Sequence, residues 1–159
     1  KVPLGVSSLS DPHMSTTAVA RKLGGAKVLG RKVETDADLI DAVRAGLPAK
    51  ALDSIFAELS AEAISQAAVY KLIGSGRTLQ RKRTQNLALS ALESDRLARL
   101  ARILVRAEEA LGDGSRGRRW LAQSNRALGG ERPIDLLDSD TGTVAVERVL
   151  GRIEHGVFS

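Results

Sequence analysis

The chain has 159 residues, enough for one domain or two small ones, and its net charge of +5 comes from 24 Lys+Arg against 19 Asp+Glu. With 43% hydrophobic residues but only one Trp, one Tyr and two Phe, the core must be built from Leu, Ile, Val and Ala, which favours helices over a β-sandwich or barrel. The lack of Cys excludes a disulfide scaffold, a thiolate metal site and a cysteine nucleophile, and two His far apart argue against zinc, so neither metal nor cofactor is expected.

Residues 1–13 show no periodicity, and His13-Met14 resembles a cloning join, so Met14 is read as the native start. Residues 14–34, small and polar with three glycines, read as an N-terminal arm holding a short helix at most. A domain is expected over 35–89. Thr35 to Asp38 signals a helix start, Leu39, Ile40 and Val43 form its stripe, and Gly46 stops it. Pro48 opens a second helix with Leu52, Ile55, Phe56 and Leu59 inward. Ser60 caps a third, with Ile64, Ala68, Leu72 and Ile73 inward, and Gly74-Ser75-Gly76 turns the chain into a short basic helix over 77–83.

A second domain is expected over 90–159. Ser90 to Glu93 is a capping box, and the helix it starts, 91–111, carries Leu97, Leu100, Leu104, Ala107 and Leu111 at heptad spacing. That seam serves either a monomer core or a partner helix. Its other face carries Arg96, Arg99, Arg102 and Arg106; Asp95–Arg99 and Arg106–Glu109 have the spacing of intrahelical ion pairs. Trp120, with Leu121, reads as an anchor for this half. Pro133 to Leu137 forms a helical turn or two, and a last helix runs over 141–155 with Val146, Val149, Leu150 and Ile153 on one face. The fold class is all-α. No apolar run reaches the roughly 20 residues of a membrane span, so a cytoplasmic protein without membrane contact is expected.

No phosphate-binding Gly-rich loop and no Ser/His/Asp nucleophile context is present, so the chain is not expected to be an enzyme. Three short helices, a Gly turn and a basic helix fit a helix-turn-helix, whose second helix enters the major groove of DNA. Arg77, Thr78, Gln80 and Arg81 supply base-reading chemistry within two turns, Leu79 docks the helix, and Lys82 and Arg83 are placed as phosphate contacts. A solvated basic helix, or one facing an acidic partner, remains the alternative. Residues 131–159 hold six acids and three arginines, net −3, leaving +8 on the remainder. That split points to two different partners.

The C-terminal third carries a longer pattern: Trp120-Leu121, Asn125, Ala127 to Gly130, Pro133 to Leu137, Thr141-Gly142, Val146-Glu147 and Leu150 to Ser159. It resembles the toxin-binding domain of the Xre/MbcA/ParS antitoxins, and Gly46 to Pro48, Arg77 to Leu79 and Leu89 to Leu100 also resemble that family. The likeness covers about residues 18–159, although the Gly74-Ser75-Gly76 turn departs from the family's usual apolar residue and longer turn.

The resemblance implies a type II antitoxin: an Xre-like helix-turn-helix domain followed by a helical toxin-binding domain. The implied partners are operator duplex DNA, a second copy in a homodimer, and a cognate RES-domain toxin that destroys NAD⁺ or, in a close relative, ADP-ribosylates a target. The C-terminal segment would lie over the toxin's active-site entrance. Pro133, Leu137, Arg148, Arg152, Glu154, His155, Gly156, Val157, Phe158 and Ser159 are the residues assigned to it, with Phe158 as the wedge and the net negative charge of 131–159 facing a site built for a pyrophosphate. A stand-alone transcriptional regulator whose C-terminal domain only oligomerises is the rival reading.

Overall fold

The computed structural model describes residues 12–156, and among them the secondary structure is helical apart from one isolated bridge between Pro48 and Ala88. The expected all-α class is what the chain adopts. The first helix, α1 (Pro12–Lys22), starts two residues before Met14, and α2 (Gly25–Leu29) follows it. Residues 14–34 are therefore not a loose arm. Thr16, Val19, Ala20 and Leu23, at i, i+3, i+4 and i+7, are all buried, as are Leu29 and Val33.

Thr35 and Asp38 close a reciprocal capping box at the start of α3 (Asp36–Ala45). Of its expected stripe only Leu39 and Val43 are half-buried. Ile40 is 49% exposed, and Ala42 is the buried residue. Gly46 stops α3 at φ 97°, and a Cβ there would stand 2.4 Å from the Leu89 carbonyl oxygen. That close approach lets Leu89 N–H donate to Leu47 O at 2.7 Å and Ala49 N–H to Leu87 O at 2.9 Å.

The next helix, α4 (Ala51–Leu59), begins three residues after Pro48, with Leu52, Ile55, Phe56 and Leu59 buried as its spacing predicts. Ser60 does not cap the following helix. It enters a 3-10 turn, Ala63 takes φ 61°, and Ser65 caps α5 (Gln66–Ile73) instead. Ser75 then caps α6 (Gly76–Thr84).

The Ser90–Glu93 capping box opens α7 (Ala91–Leu111). Its leucine seam lies in the monomer's own core, where Ala98, Ala101, Ile103 and Val105 are also buried, so this helix is packed on most sides. Along it lies α8 (Gly114–Ala122), set so close that a Cβ on Gly117 would come within 2.8 Å of the Glu108 backbone nitrogen. Two 3-10 turns (Arg126–Leu128, Pro133–Asp138) lead to α9 (Asp140–Glu154). Buried apolar residues from Val19 to Leu150 form one cluster, with the turn at Pro133–Asp138 packed against α5. An ionic junction ties the layers: Lys22 pairs with Glu58 at 2.6 Å and with Glu108, and Arg118 lies 3.9 Å from Glu58 and from Glu62. Burial would depress the Lys22 ammonium, but its hydrogen bonds to Glu108 and Glu58 outweigh this and hold its pKa above the ordinary value.

Candidate functional site

Two surfaces stand out, one on each half of the core. The first is α6. Its sequence has no apolar residue except Leu79, which is fully buried and seats the helix. Two residues, Gly74 and Ser75, separate it from α5, a turn tighter than the roughly three to four residues usual in a helix-turn-helix. Arg77, Gln80 and Arg81 are exposed, and none of the three side chains makes a hydrogen bond or ion pair among the described residues. Thr78 is half-buried, its N–H turned to the Ser75 hydroxyl at 3.5 Å. The exposed edge thus offers guanidinium forks and a carboxamide, groups that pair bidentately with guanine and adenine edges.

Lys82 and Arg83 are held by the protein rather than free at the surface. The Lys82 ammonium donates to Glu93 at 2.7 Å, fastening the end of α6 to the start of α7. Burial would raise the Glu93 carboxyl, but Lys82 and the Ser90 N–H overcome it and hold the pKa below its ordinary value. Arg83 makes three contacts. Its Nε donates to Asp53 at 2.7 Å, its Nη1 donates to the Tyr70 hydroxyl at 2.8 Å, and its guanidinium carbon lies 4.7 Å from the Phe56 ring centroid. Phe56 and Tyr70 meet edge to face at 5.3 Å, so Arg83 clips α6 onto α4 and α5 together.

The second surface is α9. Ser139 caps it, and Gly142 lets it pack onto the preceding turn, since a Cβ at that position would fall 1.9 Å from the Leu136 carbonyl oxygen. Thr143, Val146, Val149 and Leu150 face the core. Asp140, Glu147 and Glu154, seven residues apart, lie along α7 and meet its arginines: Arg99 pairs with Asp140, Arg102 stands 4.0 Å from Glu147, and Arg106 donates to Glu154 at 3.1 Å. The arginine stripe of α7 is therefore matched between helices and not within one, because neither Asp95–Arg99 nor Arg106–Glu109 forms an ion pair. Arg96 donates to the Ile73 carbonyl at 3.2 Å.

This changes the electrostatics expected of the C-terminal segment. Asp135 is paired with Arg132 at 2.8 Å as well, which leaves Glu131 and Asp138 as the acids of residues 131–156 without an ion pair among the described residues. The acidic end is mostly neutralised in place. Pro133 and Leu137 are buried in the core and do not lie on an exposed surface. Glu154 is engaged by Arg106, whereas Arg148, Arg152 and His155 are exposed. Gly156 follows the helix at φ 68°, and Val157, Phe158 and Ser159 lie outside the described residues. Trp120 is half-buried against the core. Among the described residues no cluster of His, Asp and Glu is arranged to hold a metal, and no helix is long and apolar enough to cross a membrane.

Comparison with known proteins separates the same two halves. Residues 38–102 match the antitoxin Xre-like helix-turn-helix domain, and residues 106–156 match the antitoxin Xre/MbcA/ParS C-terminal toxin-binding domain. The chain is 34% identical over 124 residues to Antitoxin Xre of Yersinia enterocolitica, covering 76% of this chain and 81% of that one. It is 35% identical over 80 residues to Antitoxin Xre of Pseudomonas putida, half of each chain. It is 29% identical over 132 residues to a Sphingobium protein named Prs ADP-ribosylating antitoxin, covering 77% and 81%.

Proposed function

The chain belongs to the Xre antitoxin family, with a helix-turn-helix and a toxin-binding domain on one core, and on that premise we propose that it neutralises a RES-type toxin by covering its NAD⁺ site and represses its own operon. The observation that carries the DNA half is the free Arg77–Gln80–Arg81 edge on a helix seated by Leu79. The toxin half is supported by the exposed side of α9, inside the matched toxin-binding domain. The protein acts by binding and not by catalysis.

The operator-binding species is a homodimer, because a two-fold operator asks for a two-fold protein. The α4 stripe and the α7 seam are core, so Ile40, Leu87 and Leu92 are the exposed large apolar residues available in the helix-turn-helix half for such an interface. Sedimentation as a monomer at micromolar concentration would refute the dimer.

The test of the toxin function is co-expression with the product of the adjacent gene, then NAD⁺ consumption by that product with and without this chain. Both hydrolysis and ADP-ribosyl transfer are read, since the Sphingobium relative's name joins an antitoxin to ADP-ribosylation. Suppression of NAD⁺ turnover in a co-purifying complex is expected. No complex, together with unaltered turnover, would favour the stand-alone regulator. For DNA, Arg77→Ala and Arg81→Ala should each weaken binding to the upstream duplex by about 1–3 kcal/mol if bidentate to a base. The absence of any shift by the wild type at low salt would remove the operator function.

A further inference from the structure

Helix α9 has three sides, and one of them has no partner among the described residues. Its apolar side is core, and its acidic flank is matched to α7. Opposite the core, at 3.6 residues per turn, Val144, Arg148, Arg152 and His155 fall within about 80° of arc. All four are exposed, and neither arginine makes an ion pair among the described residues. Among the described residues the His155 ring reaches the Gly151 carbonyl alone, through Nδ1 at 2.7 Å.

The sequence around the two arginines is as telling as their exposure. Positions three and four residues from Arg148 are Val144, Ala145, Gly151 and Arg152; those from Arg152 are Arg148, Val149, His155 and Gly156. None is an acid, so no intrahelical pair is available, and the two arginines form a like-charge pair that an isolated helix disfavours. Gly151 sits beside them in the helix interior, where glycine costs stability relative to alanine. Nothing in the fold demands it: a Cβ there would have only the tip of Arg106 at 3.9 Å, an ordinary contact. A glycine with no internal reason next to unpaired arginines fits the close approach of an outside surface.

We propose that this face docks an acidic surface of the toxin, with partner carboxylates between Arg148 and Arg152, Val144 as the apolar contact, and Gly151 as the notch that lets the partner come close. This rests on the toxin-binding reading of the chain and reverses the expected sign of the docking charge: a segment rich in acids presents cations. The partner's carboxylates would relieve the arginine pair's repulsion, so association gains in both rate and specificity and weakens with salt.

The test uses the full chain and the toxin encoded beside it, titrated at two ionic strengths. Wild-type binding should fall as salt rises. The double substitution Arg148→Glu with Arg152→Glu should weaken binding by at least about tenfold. Gly151→Leu should weaken it too, while Gly151→Ala should melt no lower than wild type, an outcome that a packing role for the glycine would not give. Wild-type-like toxin binding by both the charge-reversed and the Leu variants would overturn the proposal and leave the toxin-binding reading standing. Charge reversal that spares toxin binding but weakens binding to upstream duplex DNA would overturn it in favour of phosphate contacts. A wild type that binds no toxin would bring down both.

Discussion

Arg83 offers the sharpest discrimination between a residue that would itself touch DNA and one that seats the helix proposed to do so. Its carboxylate partner Asp53 is half-exposed at 51%, so that ion pair contributes at most about 1 kcal/mol. The hydrogen bond to Tyr70 comes from a charged donor and contributes about 1.5 kcal/mol. The contact with the Phe56 ring adds about 0.5–1 kcal/mol. Allowing for overlap among the three, Arg83→Ala should loosen the α6 seat by about 2 kcal/mol, which caps the loss of operator affinity near about thirtyfold. Fluorescence-anisotropy titrations of upstream duplex over a range of salt separate the two roles. A phosphate contact removed would shallow the slope of log K against log salt by about 0.9; a loosened seat lowers affinity with the slope unchanged. Arg83→Lys keeps the charge but loses the planar fork that spans Asp53, Tyr70 and Phe56. We expect it to bind nearly as poorly as the Ala variant. Wild-type affinity in the Lys variant, with a shallower slope in the Ala variant, would refute the seat and restore Arg83 as a phosphate contact.

Gly142→Ala should destabilise by about 2–3 kcal/mol, since its methyl meets the Leu136 backbone and the gain in helix propensity is only about 1 kcal/mol; thermal melting lower by about 5–10 °C is the check. Trp120→Ala, at a half-buried site, should cost about 2–3 kcal/mol in the free protein; unchanged melting with lost toxin binding would make it an interface residue instead. Glu93 has a folded pKa below its ordinary 4.5, so its ionisation stabilises the fold above that value and this contribution is lost as pH falls through the folded pKa. Glu93→Gln should therefore be less stable than wild type at neutral pH, with the difference shrinking below about pH 4.5. A constant difference down to pH 2 would show that Lys82 and Ser90 do not act through the charge.

What was legible in the sequence was local. The helix start at Thr35, the capping box at Ser90, the stripe of α4 and the docking role of Leu79 all follow from neighbours within one or two turns, and the structure keeps them. The sequence allows a short helix in the arm but not its place in the core, because the inward residues of α1, Thr16, Val19, Ala20 and Leu23, include small and polar ones whose burial depends on what lies against them. The start of α5 was misplaced at Ser60 because two serines could cap it, and only the left-handed Ala63 shows which does. The arginines of α7 were assigned partners at helical spacing, the only partners that spacing can reveal. Their true partners, Asp140, Glu147 and Glu154, recur every seven residues on another helix, whereas the arginines recur every three or four, so spacing within the sequence does not reveal the match. Pro133 and Leu137 were placed at the toxin surface by resemblance, whereas packing of their turn against α5 decides their burial.

The position of α7 bears on how such a protein is dismantled in a cell. A protease seeking a boundary between the helix-turn-helix and toxin-binding domains would have to cut this helix, which runs through both matched stretches with apolar residues buried along most of its circumference. Cleavage within it would strip apolar cover from α1, α3, α5, α8 and α9 at once. Neither fragment would keep a closed core, so degradation should proceed as a single event that removes both domains together.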